Sequence, residues 1–158
     1  MGKYLTLFLS LLLWSSCDST LTSSNGEPDN FLTSVETTDT LQIELTIKSK
    51  EIERLEEVEA QFNLQNISDK EVVYRFPSGC QYGYTITKNH NTIFDSRKNL
   101  GCTAALSQLK LEPDQTKNFP ISLSRFDINK KLSKGIYELN AFLLEDHAVQ
   151  ITTSFKVE

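Results

Sequence analysis

Leu41-Gln42-Ile43-Glu44-Leu45-Thr46-Ile47-Lys48 places an apolar side chain at every second position and a polar or charged one between them. Successive side chains of an extended chain point to opposite faces, so this octet has one face for a core and one for water. A helix would scatter the same apolar residues around its axis, and the period of two therefore reads as a strand. The alternation returns at Val58, Ala60, Phe62 and Leu64, then at Tyr82, Tyr84 and Ile86, and again at Phe119, Ile121 and Leu123. It continues through Tyr137, Leu139, Ala141 and Leu143, and through Val149, Ile151, Thr153, Phe155 and Val157. Between these runs lie Val72 to Phe76, rich in β-branched and aromatic residues, then Ile93-Phe94, and Leu106, Leu109 and Leu111. Turn chemistry separates them at Asn66-Ile67-Ser68-Asp69-Lys70, Pro77-Ser78-Gly79, Asn89-His90-Asn91, Glu112-Pro113-Asp114 and Glu145-Asp146-His147. The expectation is an all-β domain over residues 41–158, an immunoglobulin-like antiparallel β-sandwich of about eight short strands. The charged stretches 50–57 and 125–132 are candidates for short helical pieces, and no internal repeat is visible.

Upstream of the octet the composition changes. Residues 18–40 are dominated by Ser, Thr, Asn, Asp, Gly and Pro, which bury too little to offset their ordering entropy. Together with Cys17 they read as a flexible tether, residues 17–40, with the folded unit starting near Thr40. Phe31, Leu32 and Val35 are the exceptions and are candidates for docking on the domain. Residues 1–16 form a further unit. Lys3 supplies a positive charge, Tyr4 to Trp14 is an apolar run broken by Thr6 and Ser10, and small Ser15 and Ser16 precede Cys17. That run of 11 residues is short of the roughly 20 that cross a bilayer. It has the length of a signal-peptide core.

Small residues directly before a cysteine resemble a lipobox, in which the cysteine becomes the acylated N-terminus, although Trp14 stands where Leu is most common. The reading is a lipoprotein signal peptide at 1–16 with Cys17 as the lipidated, palmitate-bearing residue; ordinary signal cleavage without a lipid is the alternative. Met1-Gly2-Lys3-Tyr4-Leu5-Thr6 also fits the myristoylation pattern, but an apolar run ending at a cysteine is not expected behind a myristoylated glycine. Two acyl chains hold a protein stably where one holds it marginally. The expected location is therefore the bacterial cell envelope, with the membrane reached through the lipid anchor.

Composition bounds the function. The 158-residue chain is 39% hydrophobic and 23% charged, enough to build a core. Its formal charge of -5 argues against a nucleic-acid partner, which needs a basic face to displace counterions. His90 and His147 are the only histidines and both fall in expected turns, so no catalytic residue is assigned. No glycine-rich phosphate loop or nucleophile elbow occurs, and no cofactor is expected. Glu51, Glu53, Glu56, Glu57 and Glu59 form an acidic run without calcium-loop spacing, and it reads as a solvated face. Asn66-Ile67-Ser68 fits a glycosylation sequon but reads more simply as a turn. Tyr82 and Tyr84 share one face, where they either fill one end of the core or form an exposed binding stripe. With Cys17 assigned to lipid, Cys80 and Cys102 remain, and an oxidising compartment favours their pairing as a disulfide. Two buried thiols or a metal pair are the alternatives.

The order of landmarks points to a family. Phe62-Asn63-Leu64-Gln65-Asn66 is followed by Asp69-Lys70-Glu71-Val72, then by Phe76-Pro77-Ser78-Gly79-Cys80-Gln81-Tyr82, the most specific piece. Leu111-Glu112-Pro113 and Gly135-Ile136-Tyr137-Glu138-Leu139 complete the series. Over residues 58–157 the chain resembles the BsuPI domain of intracellular proteinase inhibitors. Trp is common in the family where Ile93-Phe94-Asp95 stands here, and a polar residue where Cys80 stands. The resemblance implies a non-enzymatic protein-binding module with a protease as partner; an accessory envelope lipoprotein without inhibitory activity is the alternative. A disulfide-clamped loop suits such a role, because rigidity lowers the entropic cost of binding. The candidate binding loops carry Pro77, Ser78, Gly79, Gln81, Asn99, Leu100 and Gly101.

Overall fold

The computed structural model describes residues 31–48, 52–126, 130–145 and 149–158. Cys17, the expected signal peptide and the tether up to residue 30 lie outside the described residues, as does His147. Ten strands are present among the described residues. They are β1 (Phe31–Thr37), β2 (Leu41–Lys48), β3 (Glu59–Asn66), β4 (Val72–Phe76) and β5 (Tyr82–Lys88), then β6 (Asn91–Asp95), β7 (Ser107–Leu111), β8 (Thr116–Ser122), β9 (Gly135–Leu143) and β10 (Gln150–Val157).

Two four-stranded sheets, ordered β1-β2-β3-β8 and β10-β9-β5-β6, and a two-stranded ribbon β4-β7 make up an antiparallel β-sandwich. The period of two sets the register. Ile43 lies opposite Leu64, Leu45 opposite Phe62 and Ile47 opposite Ala60, and Phe62 in turn lies opposite Phe119. The apolar members all turn inward and are buried, while Gln42, Glu44 and Thr46 remain on the wetter face. Tyr84, Ile86, Tyr137, Leu139, Ile151 and Phe155 supply the facing layer, and Phe76, Leu109 and Leu111 extend the same core from the ribbon. Pro120 has no N–H to donate and sits in β8, an edge strand, where the loss is tolerated.

The Asn89-His90 turn joins β5 to β6 with φ of 48° and 64°. Two consecutive left-handed residues match the twist of a two-residue hairpin, and Asn is among the residues that adopt them most readily.

One expectation needs correction, and the two candidates for short helical pieces fare differently. The folded unit begins before Thr40, because Phe31–Thr37 forms β1 along the edge of β2. Its register brings Leu32 beside Ile47 and Ser34 beside Leu45, and Thr33 Oγ1 meets Thr46 Oγ1 at 3.0 Å. The Thr38 hydroxyl accepts the Leu41 amide at 2.9 Å and tightens the turn between the two strands. Composition hides this strand because an edge strand needs few buried side chains. The charged stretch 50–57 contains a single 3₁₀ turn, Leu55–Glu57, and no longer helix in its described part. Of the stretch 125–132, residues 127–129 lie outside the described residues, and Lys131 makes a β-bridge with Arg54 instead of a helical turn.

Candidate functional site

Phe76 ends β4 buried, and Pro77 turns the chain into solvent. Ser78 then folds the turn on itself: its hydroxyl accepts the Cys80 amide at 3.2 Å, and its carbonyl accepts the Ser107 hydroxyl at 2.7 Å. Cys80 is joined to Cys102 by a disulfide with Cα atoms 5.4 Å apart, so the paired-cysteine expectation stands and the free-thiol and metal-pair alternatives fall. One residue to either side, the Gly79 amide donates to the Thr103 carbonyl at 3.0 Å. Gly79 does not adopt the left-handed region; among the described glycines Gly135 alone has a positive φ. What crowds position 79 is proximity, because a Cβ there would press on Thr103 Oγ1 and turn that side chain aside.

The second loop leaves β6 through Asp95. Its carboxylate accepts the Arg97 amide at 3.0 Å and receives the Arg97 guanidinium through two further bonds of 2.9 and 2.8 Å. These bonds from Arg97 hold the Asp95 carboxyl below the usual carboxylate range, outweighing its partial burial. The 3₁₀ turn Ser96–Lys98 follows, and buried Ser96 accepts the Tyr84 amide at 2.8 Å. Asn99 folds back onto the Asp95 carbonyl at 3.2 Å, and the Leu100 amide donates to the Ser96 carbonyl at 2.9 Å. From Gly101 to Leu106 the chain is exposed and makes no strand.

The structure therefore brings Pro77, Ser78, Gly79 and Gln81 together with Leu100 and Gly101 around one covalent clamp. Pro77, Gly79, Asn99 and Gly101 are exposed, while Ser78, Gln81 and Leu100 are half-buried. Gln81 works as a brace: its side-chain amide donates to the Gln108 carbonyl at 3.2 Å and its own carbonyl accepts the Leu144 amide at 3.0 Å. Asn99 bends away to cap its own turn.

Two open grooves flank the clamp. One, of about 570 Å³, is lined by Arg75, Phe76, Pro77, Leu106, Gln108 and Glu145 among others. The other, of about 330 Å³, runs along Cys80, Tyr82, Leu100, Lys117, Pro120 and Arg125. Tyr82 stands between the sheets, its ring 4.7 Å from Phe119 and its hydroxyl donating to the Pro120 carbonyl at 2.6 Å. Tyr84 is fully buried, burial raises its phenol, and Arg125 reaches its oxygen at 3.1 Å in partial opposition. The tyrosine pair therefore packs the sandwich and does not form an exposed stripe.

Leu106 was grouped with Leu109 and Leu111 as strand residues, but β7 starts at Ser107 and Leu106 is 85% exposed. The signal was available: 106 breaks the odd-numbered parity of 109 and 111. Three members of the acidic run make structural contacts, Glu56 on Arg54, Glu57 on the Glu53 and Arg54 amides, and Glu59 on Lys48, while Glu51 lies outside the described residues. Among the described residues no group of three His, Cys, Asp or Glu could hold a metal ion.

Fold and site together define a β-sandwich that presents a rigid, disulfide-clamped pair of loops at one flank. Residues 41–148 match the model of the BsuPI family, described as intracellular proteinase inhibitor, and the chain belongs to that family. No curated protein sequence matches significantly. Among solved structures the chain is similar to a β-glucosidase involved in saponin metabolism from intestinal bacteria, with 19% identity, a TM-score of 0.35, and 64% of this chain but 13% of that one covered. It is also similar to a β-glucosidase from Listeria innocua in complex with laminaribiose, with 12% identity, a TM-score of 0.39, and coverage of 81% and 16%. The chain thus spans less than a fifth of either enzyme, and both likenesses are too distant to bear on function.

Proposed function

We propose that the domain is a non-enzymatic, protein-binding inhibitor module that offers the loops 77–81 and 100–103 to a protease. The observation that carries this reading is the clamp. Two exposed loops from distant parts of the chain are tied by the Cys80–Cys102 bond and by the Gly79–Thr103 backbone bond. Segments ordered during folding lose little further entropy on binding, which is what a surface that must block a cleft requires. Family membership supplies the class of partner. The test is a titration of the full chain, oxidised and in mild detergent, against subtilisin-like, trypsin-like and metalloproteases. The reading expects saturable, stoichiometric inhibition of one class. An inactive titration across the panel would leave an accessory envelope domain and end the inhibitor reading.

We further infer that Cys17 is acylated and that the domain is held at a bacterial membrane. The sequence before Cys17 supports this: Lys3, an apolar run and the small Ser15 and Ser16 lead into the cysteine. The tether would enter the domain at β1, which lies beside β10 at one flank of the sandwich. The clamp lies at the other flank, beside β8 and β5. A domain tethered through the first flank keeps the second free for partners. Cys17→Ala should move the protein from the membrane fraction to the soluble fraction; retention in the membrane would sink the anchor.

A further inference from the structure

We infer that Leu106 is the side chain that enters the primary specificity pocket of the partner protease, and that this pocket accepts aliphatic side chains. The inference rests on the inhibitory reading and assigns its contact residue. Leu106 is the most exposed large apolar residue among those described, at 85%, and the others at 66% or less (Ile136, Val35, Phe31, Ile67 and Leu32) lie away from the clamp. A single exposed leucine is ordinary on a protein surface. This one stands on a segment fixed at both ends. Cys102 and Thr103 are held to Cys80 and Gly79 by the disulfide and by a backbone bond. Ser107 is held by its pairing with Phe76 in the β4-β7 ribbon and by its hydroxyl bond to the Ser78 carbonyl.

Ala104-Ala105-Leu106 is therefore a three-residue bridge between two anchored points. Its two alanines leave the backbone beside Leu106 open to close approach. The groove below, floored by Phe76 and Pro77 and rimmed by Arg75 and Glu145, gives room for the lip of a partner's cleft. A projecting aliphatic side chain on a pre-ordered, unobstructed backbone is what a cleft with an apolar pocket can take up. A pocket built for a cation would leave its own buried charge unpaired against Leu106.

The experiment compares the full chain in detergent with Leu106→Gly, Leu106→Arg and the control Ile136→Gln, which changes an exposed residue on β9. Each is titrated against a subtilisin-like enzyme with an apolar pocket and a trypsin-like enzyme with an acidic one, with thermal unfolding recorded for every variant. The expected result is that the unaltered chain and Ile136→Gln inhibit the subtilisin-like enzyme alike, while Leu106→Gly and Leu106→Arg weaken inhibition about 100-fold or more, as truncation of a central contact residue does. Their unfolding midpoints should stay unchanged, because the side chain is exposed. Inhibition by the unaltered chain that survives both Leu106 changes overturns the inference and leaves the inhibitory reading intact. An unaltered chain that inhibits only the trypsin-like enzyme also overturns it. Failure to inhibit either enzyme overturns the Leu106 assignment, and failure against the metalloproteases as well overturns the inhibitory reading.

Discussion

The fully buried Asn66 side chain makes four hydrogen bonds at a three-way junction. Its amide donates to the Lys70 carbonyl at 2.7 Å and the Leu111 carbonyl at 2.8 Å, and its oxygen accepts from the Ser68 amide and hydroxyl at 3.0 and 2.8 Å. These bonds tie the end of β3 to the turn before β4 and to the end of β7, with the Asn66 backbone carbonyl also accepting the Asp114 amide. Asn66→Ala would take its amide donor from the Lys70 carbonyl and from the buried Leu111 carbonyl, and should cost about 2–4 kcal/mol, since several hydrogen bonds and a buried contact are lost together. Asn66→Asp is nearly the same shape but sets a carboxylate against those two carbonyls, and it should cost at least as much. Chemical unfolding of both variants checks this; an Asp variant as stable as the parent would refute the account. The sequon Asn66-Ile67-Ser68 is thereby used by the fold itself. At this scale the sequence was legible in type and not in partner. Asn66 reads as a turn former from its chemistry, but its bond to Leu111, 45 residues on, comes from the pairing of β4 with β7. Gly79 shows the same limit: its place in a turn was legible, and the approach of Thr103 was not.

Among the elements, the strands with two covered ends and one buried face were legible from period alone: β2, β3, β5, β8, β9 and β10 all follow their alternating residues. The clamp was legible as a pair of cysteines in a chain whose N-terminal stretch reads as an export signal. Its consequence for the loops came from the bonds on either side of it. Reducing the Cys80–Cys102 bond reopens a loop with a sequence separation of 22. In the chain-entropy model that lowers stability by about 3 kcal/mol. The core does not rest on it alone, because Phe76, Tyr84, Leu109 and Phe119 are buried and sit on strands held by their own backbone pairing. The reduced protein should therefore remain folded with a lower melting point, and the amides of 79–81 and 101–104 should exchange faster than those of β5. Uniform loss of protection across β5 and β9 would instead make the disulfide a condition of folding. β1 was omitted because an edge strand carries little apolar content, and Leu106 was placed in a strand because three neighbouring leucines outweighed parity.

For the whole molecule, the sheet orders put β1 and β10 on one flank and β8 and the clamp on the other. The family match covers residues 41–148, and β1 lies outside the matched residues. Its task is visible from its register. It pairs all along β2 from Thr37 opposite Gln42 to Phe31 opposite Lys48, and so covers an edge that would otherwise present unpaired N–H and C=O groups. An open edge of this length, backed by the alternating octet 41–48, is a template for pairing with another chain. A chain shortened to begin at residue 41 should still fold, because the β2-β3-β8 and β10-β9-β5-β6 arrays keep their inward-facing residues. It should lose about 1–3 kcal/mol, because Leu32 no longer shields the edge of the core beside Ile47. It should also self-associate at micromolar concentration where the longer chain does not, and Ile43→Lys is no remedy because that residue faces the core. Replacing Thr46 by Lys offers the cleaner check, since its side chain lies on the wetter face of β2 and a lysine there opposes pairing of the freed edge with a second copy. If sedimentation shows the shortened chain to be monomeric and as stable as the parent, β1 is no guard of the edge. Self-association that Thr46→Lys abolishes, with the fold retained, would fix the exposed edge of β2 as its cause.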